Sequence, residues 1–289
     1  MTGASGWIGR AFQVAAYQRG WTVTPIVRSP IPGAILWDAK TQFAAPEELE
    51  GFDAILHLAG ESIFGIWTPG KRQRIFDSRV QSTDLLSRAL AACRKPPSVL
   101  ISASAVGYYG DTGEERVNAE HTSGRTFLAH VCQAWEAAAE PAAQAGIRVC
   151  HPRFGTVLGF DGGALQTMTG LARCGLGAVL GSGEQWWAWI SIEDLVEALC
   201  WAIETASVRG SWNLVSPEPK RQADFAKELA AALHRPCVWR IPGRVIRLAA
   251  DGLADSLLLC SCRAEPDPML LRGFKWKFPT LEKVLATRK

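Results

Sequence analysis

At 289 residues, 48% hydrophobic and 20% charged, the chain is long enough for one large α/β domain with an elaboration, or for two smaller ones, and too apolar for disorder. A formal net charge of +3 without a dense Lys/Arg tract argues against nucleic acid as a partner; Lys71-Arg72-Gln73-Arg74 reads as the solvated opening of an amphipathic helix, or as cations that meet an anionic ligand. Eight scattered cysteines without a Cys-x-x-Cys pair and five histidines at no ligand spacing predict reduced thiols and no metal, and the lack of a signal pattern or bilayer-length apolar run predicts a cytoplasmic protein without membrane contact.

The chain opens Met1-Thr2-Gly3-Ala4-Ser5-Gly6-Trp7-Ile8-Gly9-Arg10. Gly3 supplies a tight turn, Gly6 lets backbone approach a pyrophosphate, and Gly9 lets the following helix pack closely on its sheet. The unpaired N–H groups and positive dipole end of that helix suit a dinucleotide. A strand should precede such a turn, so the first strand is missing or truncated. Several apolar residues are expected before Thr2 in the natural product; without them the cofactor site and the fold would be weakened.

Trp7 to Arg19 places Ile8, Phe12, Ala15 and Ala16 at helical spacing, with Gly20 as a stop. Trp21 to Val27 reads as a strand that Pro25 interrupts, and Phe52 to Leu58 as the next. A helix from about Pro69 to Cys93, a strand Ser98 to Ser102, a helix Thr126 to Ala145 broken near Pro141, and a strand Ile147 to His151 follow. Strands alternating with long helices predict α/β architecture: a Rossmann-like doubly wound parallel sheet with a smaller C-terminal substrate lobe. Beyond Gly159, helices are expected at Gly163–Cys174, Ile192–Thr205, Arg221–His234, Gly243–Leu253 and Leu281–Ala286. The nucleotide domain is assigned residues 1–158 plus about 192–215, and the lobe 159–191 and 216–289.

Ligands of open parallel sheets bind outside the C-terminal strand ends. After the second strand stands Arg28-Ser29 in place of an acidic residue, which favours the 2′-phosphate of NADP over the ribose of NAD. Asp38 is a candidate for the adenine. Leu58-Ala59-Gly60 offers small residues where a ribose passes backbone. The next strand ends in Ser102-Ala103-Ser104 and leads to Tyr108-Tyr109-Gly110-Asp111, hydroxyls and phenols suited to acid–base chemistry on a carbonyl/alcohol pair. Twelve tryptophans are spread along the chain; the run Glu184 to Trp189 forms either an aromatic wall over a ligand or packing between lobes.

These blocks, with His151-Pro152-Arg153-Phe154-Gly155-Thr156-Val157-Leu158-Gly159 and Trp189-Ile190-Ser191-Ile192-Glu193-Asp194, follow in the order used by extended short-chain dehydrogenases/reductases. The chain resembles that superfamily nearly throughout, and is more narrowly similar to its "epimerase family protein" branch. The resemblance implies that Gly3, Ser5, Gly6, Trp7 and Ile8 hold the pyrophosphate, Arg28 the 2′-phosphate, and Leu58, Ala59 and Gly60 the ribose, with Ser104 in the catalytic serine position. Ser102 and Arg153 are further candidates at the cofactor, Arg153 alternatively as a structural ion pair.

The chain departs from that superfamily at Tyr-x-x-x-Lys. Anchored on Glu136, the two slots hold Leu128 and Cys132, which cannot replace tyrosine and lysine. The acid is therefore expected at Tyr108 or Tyr109, with His130 and Glu136 behind them; Cys132 is a reactive thiol or a buried one. The implied function is an NADP-dependent oxidoreductase or epimerase acting on a carbonyl or hydroxyl carbon of a small, sugar-nucleotide-like substrate. The alternative is an NADPH-binding sensor or scaffold without turnover. Expected partners are a small-molecule substrate and, as the candidate assembly, a homodimer.

Overall fold

The computed structural model describes residues 1–37 and 45–287. Asp38, the adenine candidate, lies outside the described residues. Six strands form the central sheet: β1 (Ile26–Val27), β2 (Ile35–Leu36), β3 (Ala54–His57), β4 (Val99–Ser102), β5 (Arg148–Phe154) and β6 (Gly210–Leu214). They are all parallel, in the order β2-β1, then Thr2, then β3-β4-β5-β6.

Thr2 bridges Ile26 on one side and His57 on the other. Its N–H donates to the Leu56 carbonyl (3.0 Å), and the Ile26 N–H donates to the Met1 carbonyl (2.7 Å). The expected loss of ladder bonds beside the glycine turn is thus corrected, because Met1 and Thr2 take the middle place between β1 and β3. β1 is shorter than the sequence predicts: Pro25 has no N–H to donate, although its carbonyl still accepts from the Ile35 N–H (2.9 Å), and the paired register begins at Ile26.

The sheet is covered on both faces. Along β4, Val99 and Ile101 face a core shared with α1 (Trp7–Gln18), while Leu100 faces one built with Leu86 and Leu90 of α2 (Pro69–Ala91). Next to α2 runs α3 (Phe127–Ala137); the single predicted helix breaks there, and Pro141 stands at the start of the short helix Glu140–Gln144, where its missing N–H is harmless. The helix α4 (Ile192–Glu204) packs Leu195, Val196 and Leu199 against Phe12, Ala15 and Ala16 of α1. Pro152 is tolerated inside β5 because its position falls where β4 has ended and before the Ser104–Ala105 bridge begins.

Helices Gly163–Arg173, Gln222–Ala232, Gly243–Leu253 and Leu281–Ala286 lie within about a turn of their predicted bounds. Trp189 is core, with its indole N–H on the Glu218 carbonyl (2.7 Å), and Trp187 leans on Phe225; for these two rings the packing reading replaces the ligand wall. No described helix is long and apolar enough to cross a membrane.

Candidate functional site

The glycine turn has the geometry its residues predict, with one correction. Gly3 sits at φ +68°, and a Cβ there would stand 2.8 Å from the Leu58 carbonyl carbon. Gly9 was expected to admit the sheet; instead its Cβ would meet the Gly3 carbonyl oxygen at 2.2 Å, so helix and turn are folded onto each other. The starts of α2, α3 and α4 are capped by the side chains of Thr68, Thr126 and Ser191, whereas α1 begins at Gly6 with no side-chain acceptor. Its first-turn N–H groups are left for another partner.

The other expected cofactor residues divide. Ser5 and Arg28 are exposed, and Arg28 has no ion pair or hydrogen bond among the described residues. Ile8 is half-buried. The Trp7 side chain turns away from the helix start, laying its ring on Gly162 and Gly163 and donating from Nε1 to Asp161 (3.1 Å). Leu58 and Ala59 are brought against Gly3, but both N–H groups donate to the Thr2 hydroxyl (3.1 Å each), so this segment offers a close backbone and not free amides.

Behind that contact lies a polar string that the sequence reading missed. The Thr2 hydroxyl is 2.7 Å from Nδ1 of His57, whose Nε2 faces the Ser82 hydroxyl at 3.3 Å; that hydroxyl in turn donates to the Ser78 carbonyl (2.6 Å). Burial, helped by the charge of the N-terminal ammonium, pushes the His57 pKa down to about 3. The ring is neutral, and the network assigns its proton to Nε2. A histidine at a strand end was the visible signal; its partners, tens of residues away, were not.

The serine strand carries a second network, which corrects several expectations. Ser102 is fully buried, with its hydroxyl unpartnered among the described residues, and so does not reach a cofactor. Ser104, 2% exposed, donates to Glu136 Oε1 at 2.6 Å. Arg153 is buried too, and grips Glu136 with Nε and Nη2 (2.8 Å each) while Nη1 donates to the Tyr109 hydroxyl (2.9 Å) and the Ala119 carbonyl (3.0 Å). Four of its five N–H donors are committed to protein, which supports the structural ion pair of the two readings for Arg153. The Ser211 hydroxyl of β6 also donates to Glu136 (2.8 Å).

Burial raises the Glu136 pKa, but the Arg153 bonds and charge outweigh it with help from Ser104 and Ser211, and the carboxyl is held below the usual range. This α3 residue is therefore an ionised hub and not an acid.

Tyr109 is excluded as the acid by the same geometry. It is 2% exposed, and its hydroxyl donates to Asn213 Oδ1 (2.6 Å) while accepting from Arg153. Burial pushes its phenol up to about 12. Asn213 is held by the Val117 and Glu265 carbonyls (3.2 and 3.0 Å). Tyr108 differs: it is half-buried, its ring centroid lies 3.5 Å from the Arg153 guanidinium carbon, and its hydroxyl has no protein partner among the described residues. On α3, Leu128 and Cys132 are buried, and burial pushes the Cys132 thiol up to about 12, which makes it the inert cysteine of the two readings. His130 is exposed and stacked on Phe76.

The sequence model of the NAD-dependent epimerase/dehydratase family matches residues 1–214. An epimerase family protein of Mycobacterium bovis is 38% identical over 99% of this chain and 95% of its own length, and one of Bacillus subtilis 32% identical over 99% and 96%. Among solved structures, the human epimerase family protein (isoform 2) with NADPH superimposes with a TM-score of 0.91 at 32% identity, covering 99% of this chain and 97% of that one. The nucleoside-diphosphate sugar epimerase from Corynebacterium glutamicum does so at 0.82 and 33%, over 99% of this chain and 56% of that one.

Proposed function

Because the chain belongs to the NAD-dependent epimerase/dehydratase family, we propose that it binds NADP(H) and acts as an oxidoreductase or epimerase on a carbonyl or hydroxyl carbon of a small, sugar-nucleotide-like substrate. The observation that carries this reading is an uncapped, glycine-bounded start of α1, together with an exposed Arg28 just past β1 that is unpaired among the described residues. Side chains at Gly3 or Gly9 would collide with backbone, so the turn keeps the bare surface a pyrophosphate requires. Arg28 then serves the 2′-phosphate, and the Leu58–Gly60 backbone lies along the ribose. The relative solved with NADPH and the one called a nucleoside-diphosphate sugar epimerase support the cofactor and the substrate class.

A bound nicotinamide cofactor supplies hydride exchange with the substrate carbon. Proton transfer falls to Tyr108, whose hydroxyl is uncommitted among the described residues; the buried network beneath it fixes the ring through Arg153. A second reading, cofactor binding without turnover, is favoured by the burial of Ser104 and Tyr109, whose hydroxyls are spent inside the protein.

Titration with NADPH and NADH, followed by NADPH oxidation across carbonyl compounds and nucleotide sugars, tests both. NADPH is expected to bind more tightly, the preference is lost in Arg28→Ala, and turnover is lost in Tyr108→Phe. Equal affinity for the two cofactors overturns the NADP assignment; tight binding with no turnover on any compound moves the protein to the second reading.

A further inference from the structure

α3 carries Cys132 where related enzymes carry lysine, and the structure brings a cation to that place from α2. Arg79 lies with its guanidinium carbon 5.1 Å from the ring centroid of Trp135, one turn beyond Cys132, and its charge acts on the Cys132 thiol. It also underlies the turn leaving β3. A Cβ on Gly60 would stand 3.3 Å from the Arg79 guanidinium carbon and 3.4 Å from both terminal nitrogens, so the guanidinium lies against that backbone.

Arg19, Arg72, Arg153 and Arg221 each pair with a carboxylate, whereas Arg79 has none within 4.0 Å among the described residues. Only Nη1 is engaged, by the Glu61 and Ile75 carbonyls (3.0 and 3.2 Å). The Glu61 carboxylate itself belongs to Lys71 (2.7 Å) and Arg74 (3.6 Å). The neighbouring Cys132 thiol is neutral, and burial pulls the Arg79 pKa down. A half-buried guanidinium without counter-charge is costly unless further acceptors meet its remaining N–H groups. Of those groups Nη2 lies beside Gly60, where the cofactor ribose is assigned.

We propose that Arg79 takes over the task of the absent lysine: from α2 it hydrogen-bonds the nicotinamide-side ribose of NADP(H) and positions that half of the cofactor. The proposal rests on the cofactor reading above, and two ligands separate the two. NADPH carries the nicotinamide ribose; adenosine 2′,5′-bisphosphate lacks it but keeps the 2′-phosphate.

Binding of both is measured by calorimetry on the wild type, Arg79→Met and Arg79→Lys, with the thermal transition of each as the control for folding. Arg79→Met is expected to weaken NADPH about ten- to hundredfold, the range for losing hydrogen bonds from a charged donor, and to leave the bisphosphate within about twofold. Arg79→Lys is expected to restore part of the loss. Wild-type NADPH affinity in a folded Arg79→Met overturns the proposal, as does an equal loss of both ligands, which would place Arg79 in the fold alone. Failure of the wild type to bind either ligand overturns the cofactor reading itself. If Arg79→Met does not fold, Arg79→Gln carries the same comparison.

Discussion

Replacing Glu136 by glutamine isolates the ion pair beneath the serine strand. The side chains of Arg153 and Glu136 are 3% and 11% exposed, so solvent screening is weak and the bidentate bond at 2.8 Å acts in a low-dielectric setting. Removing one partner of a buried pair costs about 3–5 kcal/mol, because the other charge stays buried and unpaired. Glutamine keeps the volume and one acceptor oxygen, and a serine hydroxyl can turn to accept from its N–H₂, but Arg153 can only donate, so a loss near the lower bound, about 3 kcal/mol, is expected.

For a chain of this length that corresponds to a fall in Tm on the order of 5 °C. The sign with pH follows from the depressed carboxyl. Its stabilisation is fully present above the unfolded-chain carboxylate pKa and is lost as pH falls through the lower folded value. The glutamine variant has no such titration, so the gap between the two proteins is widest near neutrality and narrows below about pH 4. Urea unfolding across this range measures it. A gap under about 1 kcal/mol at neutral pH, or one that stays constant into acid, would refute the assignment of Glu136 as an ionised hub.

Gly9→Ala, which in an ordinary helix interior gains up to about 1 kcal/mol, is expected to destabilise here by about 1–3 kcal/mol and to weaken NADPH binding, since its Cβ meets the Gly3 carbonyl at 2.2 Å. Denaturation and cofactor titration check it, and unchanged or raised stability counts against the close-packed turn. Thr2→Val, nearly isosteric, leaves the Leu58 and Ala59 N–H groups and His57 Nδ1 without their partner and is expected to cost about 1–3 kcal/mol. A change within about 0.5 kcal/mol in chemical denaturation would show that water replaces the hydroxyl.

What the sequence made legible was local and periodic. The turn from Gly3 to Gly9 needs only backbone rules, and the alternation of Val99, Leu100 and Ile101 between two cores needs only the period of a strand. Facing was harder. Tyr108 and Tyr109 are consecutive in a 3₁₀ turn, so one points in and the other out, and composition does not say which. Partners distant along the chain were illegible: Asn213 meets Tyr109 and Ser211 meets Glu136 only because β6 docks beside β5. Arg79 was hidden for the same reason, being an unremarkable helix residue until α2 is laid under Gly60.

The serine position shows how a retained residue can change its task. For Ser104 to relay a proton it would first have to give up a 2.6 Å bond to an ionised carboxylate, among the stronger hydrogen bonds a protein makes. Glu136 in turn could release it only by leaving Ser104 and Ser211 pulling on a carboxylate already fixed by Arg153 on β5. Four segments meet at that one side chain, so the geometry that would free the serine would also loosen the sheet edge. On the proposed reading the same rigidity would serve Tyr108: its ring rests on the bonded Arg153, while its hydroxyl has no protein partner among the described residues. If Tyr108 is the acid, a buried ion pair preorganises its phenol without the tyrosine and lysine slots of α3, where Cys132 is a buried core residue.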